Sequence, residues 1–91
     1  MNAIEARKIS VEKFVNMLME NIKSAVNKGF GYYKECIKLS RPPTYWERFT
    51  GNYPFTKNYL EVMTILKEQG YTIEVRPNRF DREAITTTIS W

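Results

Sequence analysis

Between Lys28 and Lys57 the chain interleaves flat rings with cations. Lys28, Lys34, Lys38, Arg41, Arg48 and Lys57 stand against only Glu35 and Glu47, among eight of the thirteen aromatic residues. Outside this window eight bases balance eight acids, so the net charge of +4 belongs entirely to it. Three of the four glycines and three of the four prolines also fall there, which breaks its backbone into irregular pieces. Such a stretch suits an anionic ligand that carries a ring system. A flat side chain stacks on a base for roughly 1 to 3 kcal/mol, and a guanidinium forks onto phosphate oxygens. Two stacks and two phosphate contacts approach the ~8 kcal/mol of a micromolar complex, less the cost of ordering the loop. The expected ligand-binding residues are Tyr45, Trp46 and Tyr53 as stacking faces, with Arg41, Arg48 and Lys57 as phosphate partners.

Competing roles exist for each of these residues. Tyr and Trp also pack cores and anchor protein interfaces. Arg41 and Arg48 have Glu47 close in sequence as an alternative partner. Phe30, Phe49 and Phe55 have no polar atom and are expected in the core of so small a protein. A second basic cluster, Arg76, Arg79 and Arg82, is locally balanced by Glu74, Asp81 and Glu83. It reads as a solvated turn or, brought in by a neighbouring subunit, as a second phosphate clamp.

Several chemistries are excluded or disfavoured. With no histidine, the chain has no Ser-His or Cys-His nucleophile pair, no imidazole metal site and no ordinary proton carrier near neutral pH. Cys36, the single cysteine, is expected as a small core or half-buried residue, without a base to activate it. Gly29-Phe30-Gly31 lacks the Lys-Ser/Thr of a phosphate loop and follows no strand. No cofactor or metal is expected, and the protein reads as a binder rather than an enzyme. The enzymatic alternative is a small ribonuclease working through Arg48, Tyr45 and Glu47. Single-stranded nucleic acid is a further candidate ligand, for which +4 is a modest charge.

The elements that must position these residues are legible in outline. A chain of 91 residues is expected to form one domain. Folding at that size hides only roughly 60 to 65% of the unfolded surface, so a homo-oligomer is expected. Ala3 to Ile9 reads as a short helical arm. From Val11 to Lys28, Val11, Phe14, Val15, Leu18, Ile22, Ala25 and Val26 recur at helical spacing after an N-cap at Ser10. Tyr32 to Leu39 reads as a strand that turns Glu35 inward, which requires a bulge or a partner for its carboxylate. Ser40 to Thr56, with Pro42, Pro43, Gly51 and Pro54, reads as a long irregular loop of functional type. Asn58 to Gln69 is predicted helical, with Asn58 and Glu61 at capping-box spacing. Two alternating runs, Tyr71 to Arg76 and Ala84 to Trp91, are predicted as an antiparallel hairpin. The order α-β-α-β-β defines an α+β fold, a small and mostly antiparallel three-stranded sheet with helices on one face. One cysteine and no apolar signal or spanning segment point to the cytoplasm and away from a membrane.

Three phrases, Asn2-Ala3-x-Glu5-Ala6-Arg7, Leu66-Lys67-x-x-Gly70-Tyr71-x-Ile73 and Ile89-Ser90-Trp91, resemble those of short accessory proteins encoded by bacteriophages. The resemblance implies a small α+β domain in the host cytoplasm, of a kind that has no known activity in most cases and acts against host defence in some. One form of that strategy is a sponge, an oligomer that sequesters a cyclic nucleotide signal without cleaving it. The phrases carry no site residues. The first expectation is therefore sequestration of a small anionic nucleotide, such as a cyclic dinucleotide. The alternative is inhibition of a host protein through the aromatic loop.

Overall fold

The computed structural model describes residues 1–91. One unbroken helix, α1 (Ala3–Asn27), opens the chain and buries Val11, Leu18, Ile22 and Ala25 along one stripe. The helical arm expected over residues 3–9 runs into this helix with no break at Ser10. Asn2 is the cap, accepting from the Glu5 amide at 2.8 Å. Ser10 lies inside the helix, its hydroxyl donating back to the Ala6 carbonyl at 2.9 Å, a bond that lets serine sit in a helix interior. Gly29, at φ 84°, ends the helix in the left-handed conformation, with the Phe30 amide donating to the Ala25 carbonyl at 3.0 Å.

The remaining elements are β1 (Tyr32–Lys38), α2 (Tyr45–Thr50), α3 (Lys57–Glu68), β2 (Thr72–Pro77) and β3 (Ala84–Ser90). This is an α+β fold in the expected α-β-α-β-β order, with the short α2 inserted in the loop that follows β1. The three strands are antiparallel in the order β1-β3-β2, so the last strand of the chain occupies the centre. Thr56, rather than Asn58, caps α3, accepting from the Tyr59 amide at 3.2 Å.

Helices α1 and α3 cover one face of the sheet. Leu18, Ile22, Val62, Leu66 and Ile89 form the larger core, and Leu39, Tyr59 and Ile85 a smaller one flanked by Tyr53 and Phe55. Two polar contacts complete the interior. The Tyr59 hydroxyl meets Thr87 Oγ1 at 2.5 Å, and the Tyr33 hydroxyl donates to Glu35 while accepting from Asn21 Nδ2 at 3.0 Å. Glu35 thus has a partner, and the regular β1–β3 register contains no bulge. Burial, reinforced by the Glu35 carboxylate, pushes the Tyr33 phenol up to about 12.

Three side chains expected inside lie outside. Cys36 is exposed because the pleat of β1 turns Tyr33, Glu35 and Ile37 toward the helices and Tyr32, Lys34, Cys36 and Lys38 away. Phe30 is 52% exposed just past the end of α1, and Phe49 is 72% exposed on α2. Phe55 packs against the smaller core, as expected. No helix is long and apolar enough to cross a membrane.

Candidate functional site

The loop after β1 closes on itself. Ser40 donates to the Pro54 carbonyl through its amide at 3.1 Å and its hydroxyl at 2.9 Å, drawing the ends together in the manner of an Ω-loop. Between those ties stands α2. Thr44-Tyr45-Trp46-Glu47 forms a reciprocal capping box: Thr44 Oγ1 accepts from the Glu47 amide at 3.2 Å, and Glu47 Oε1 accepts from the Thr44 amide at 3.0 Å. Gly51 terminates the helix at φ 75°, a conformation a side chain would strain. Proline and glycine, which read as breakers across the loop, instead bracket one short helix.

Arg41 fixes that helix to the loop by a two-pronged pair with Glu47, Nη1 to Oε1 at 2.8 Å and Nη2 to Oε2 at 2.9 Å. The hydrogen bond from Arg41 and the Thr44 amide hold the Glu47 carboxyl down at about 2. Its ordinary value in a released loop is 4.5, so α2 is favoured above that pH and loses this preference as the pH falls toward 2. In a Trp91→Phe background, Trp46 emission is expected to change over this acid range before the far-ultraviolet signal of α1 and the sheet. Coincident transitions would contradict a local role for the pair.

Helical spacing puts Tyr45, Trp46 and Phe49 on one side of α2, away from Glu47. They are 81, 67 and 72% exposed, and α2 buries no residue at all. The Trp46 and Phe49 rings stack at 5.6 Å with 25° between their planes. Roughly 400 Å² of aromatic surface is left in water if each ring can bury about 150–250 Å², within the size range at which an exposed patch is often functional.

The six residues expected to bind a ligand are therefore separated. Tyr45 and Trp46 share the exposed face, and Arg48 is exposed on the same helix. Arg41 is occupied by Glu47. Tyr53 packs beside the smaller core, and Lys57 is the exposed first residue of α3. None of the six lines a principal concavity of the surface. Phe49, the third ring of the patch, is a core residue by type alone; its spacing from Tyr45 and Trp46 within a Thr-x-x-Glu helix is the signal that finds it. The chain matches no family model, no curated protein and no solved structure.

Proposed function

We propose that the protein acts by binding another protein, with the Tyr45, Trp46 and Phe49 face of α2 as its anchor. The observation that carries this reading is the exposure of three large rings on a helix that contributes nothing to the core. Aromatic residues dominate the energetic centres of protein interfaces. Here they ride on a helix already fixed by its capping box, Gly51 and the Arg41–Glu47 fork, so little ordering cost remains at binding. Burying about 400 Å² of ring surface is worth roughly 10 kcal/mol gross, comparable with the ~4–15 kcal/mol cost of association. The patch thus serves as the anchor of a larger contact.

Arg48, on the same helix as the rings, has no carboxylate partner, and Glu47 is already paired. The complementary partner is a protein with an apolar cleft rimmed by carboxylates. A convex helix with projecting rings supports this reading better than enclosure of a small nucleotide. Joined to the resemblance to phage accessory proteins, it makes the chain an inhibitor that occupies a cleft on a host factor.

Photo-cross-linking tests the assignment. A photoreactive phenylalanine analogue at position 46 is expected to trap one protein species from host extract, and the same analogue at the exposed Lys13 position is not. Identical products from both positions would overturn the reading. So would self-cross-linking alone, which makes the occupant a second copy, or Trp46-dependent binding to anionic vesicles, which makes it a lipid surface.

A further inference from the structure

The face of the sheet turned away from α1 and α3 has no element over it, and its residues follow from the strand register. Tyr32, Ser90 and Thr72 form one row across the three strands; Lys34, Thr88 and Glu74 form the next, and Cys36, Thr86 and Arg76 the third. Beyond the rows lies the turn between β2 and β3. Asn78 Oδ1 accepts from the amides of Phe80 at 2.9 Å and Asp81 at 3.1 Å, and its Nδ2 reaches Cys36 Sγ and Thr86 Oγ1, each at 3.4 Å. The turn is thereby pinned against the sheet, while Phe80 is left 98% exposed. A trough of about 910 Å³ runs over this surface, with Tyr32, Lys34, Arg76, Arg79, Phe80 and Thr88 in its lining.

Its chemistry is unlike that of the other face. Apart from the two rings, the strand positions present hydroxyls, cations, the Cys36 thiol and one carboxylate, Glu74. Glu74 is held by Arg76 at 2.5 Å, and Lys34 and Arg79 have no carboxylate partner. Lys34 Nζ lies 5.7 Å from the centre of the Tyr32 ring, so a cation and a flat face are presented together. A second sheet packed here would need an apolar face to interdigitate with, and an apolar ligand would have to strip water from Lys34 and Arg79. An anionic chain with flat rings meets neither obstacle. The two basic clusters that are far apart in sequence, Lys34 and Lys38 on β1 and Arg76 and Arg79 at and just beyond the end of β2, flank the central strand β3 on the two edges of the sheet.

We propose that the uncovered sheet face binds single-stranded nucleic acid, Tyr32 and Phe80 stacking on bases and Lys34 and Arg79, the cations without a carboxylate partner, contacting phosphates. An open trough leaves both ends of a strand free, and unstacked bases are what its rings require. This site shares no residue with the α2 patch, so either assignment can fail alone.

Fluorescence anisotropy with a labelled oligonucleotide of about a dozen nucleotides, as RNA and as DNA, tests the proposal against a duplex of the same sequence and free mononucleotides. The single strand is expected to bind, with an affinity that falls as salt rises. Lys34→Glu with Arg79→Glu is expected to weaken binding at least about tenfold and to reduce the logarithmic salt slope by about 1.4, the counterion release of two phosphates. Tyr32→Ala and Phe80→Ala are each expected to cost about 5- to 100-fold by loss of a stack, and Trp46→Ala to cost nothing. All five altered positions are exposed, so the fold is retained. Absence of single-strand binding at low salt, equal binding of the duplex, binding of mononucleotides alone, or indifference to the charge reversals would each overturn it.

Discussion

Replacing Trp46 and Phe49 together by alanine lowers affinity for the protein trapped at position 46 by at least about 100-fold while leaving the unfolding midpoint in place. Each ring is of the type and setting that costs about 2 kcal/mol or more when truncated in an interface, roughly 30-fold per residue, and neighbouring rings couple. The stacked pair at 5.6 Å is one such unit. Stability is spared because the rings are 67 and 72% exposed, and removing them opens no cavity. Surface changes of this kind stay within about 0.5 kcal/mol. Calorimetric titration and thermal unfolding of the same variant separate the two effects. Equal loss of stability and binding would mean that the rings hold the loop rather than a partner.

Leu66→Ala has the opposite profile. Leu66 is 1% exposed and packs with Leu18, Ile22, Val62 and Ile89 where α3 meets α1 and the sheet. Truncating a fully buried leucine costs about 2 to 5 kcal/mol, the lost transfer energy plus the cavity left behind. A domain of this size has roughly 5 to 14 kcal/mol in total, so the variant forfeits a large share of it. At about 4 to 8 °C per kcal/mol, a loss near 3 kcal/mol lowers Tm by roughly 12 to 24 °C. Urea denaturation checks the result: the midpoint falls and the slope is unchanged. A shift of only a few degrees would mean that the site collapses around the smaller side chain and that the core is less tightly packed than its burial implies.

Long, strongly patterned segments are legible in the sequence alone. The stripe from Val11 to Ala25 and the alternation of Ile73, Val75, Ile85, Thr87 and Ile89 each repeat one period often enough to define a buried face, although Val26, expected on that stripe, lies 50% exposed at the end of α1. Short-range signals were less decisive. Ser10 has the chemistry of a cap, but Asn2 stands at the actual helix start, and only the position of the first turn distinguishes them. The Thr44-x-x-Glu47 spacing that caps α2 is masked in the sequence by prolines on both sides and Gly51, which mark an uninterrupted loop. Cys36 and Phe49 followed from residue type rather than from the phase of the element, and phase sent both outward.

The charge window fared differently from its members. Its clustering in sequence is real, yet the fold distributes it among three places: Tyr32, Lys34 and Lys38 on the sheet, Arg41 to Phe49 on the projecting loop, and Tyr53 and Phe55 beside the core. Which distant residues would join Lys34 depended on the strand order, and no local pattern encodes that β3 lies in the middle.

The most direct measurement is the emission of Trp46 in a Trp91→Phe protein as the purified partner is added. The rings are expected to leave water, shifting the emission to the blue and shielding it from a soluble quencher, with saturation at one partner per anchor. Emission and quenching that stay unchanged while the partner binds would place the contact elsewhere and contradict the assignment of α2 as the anchor.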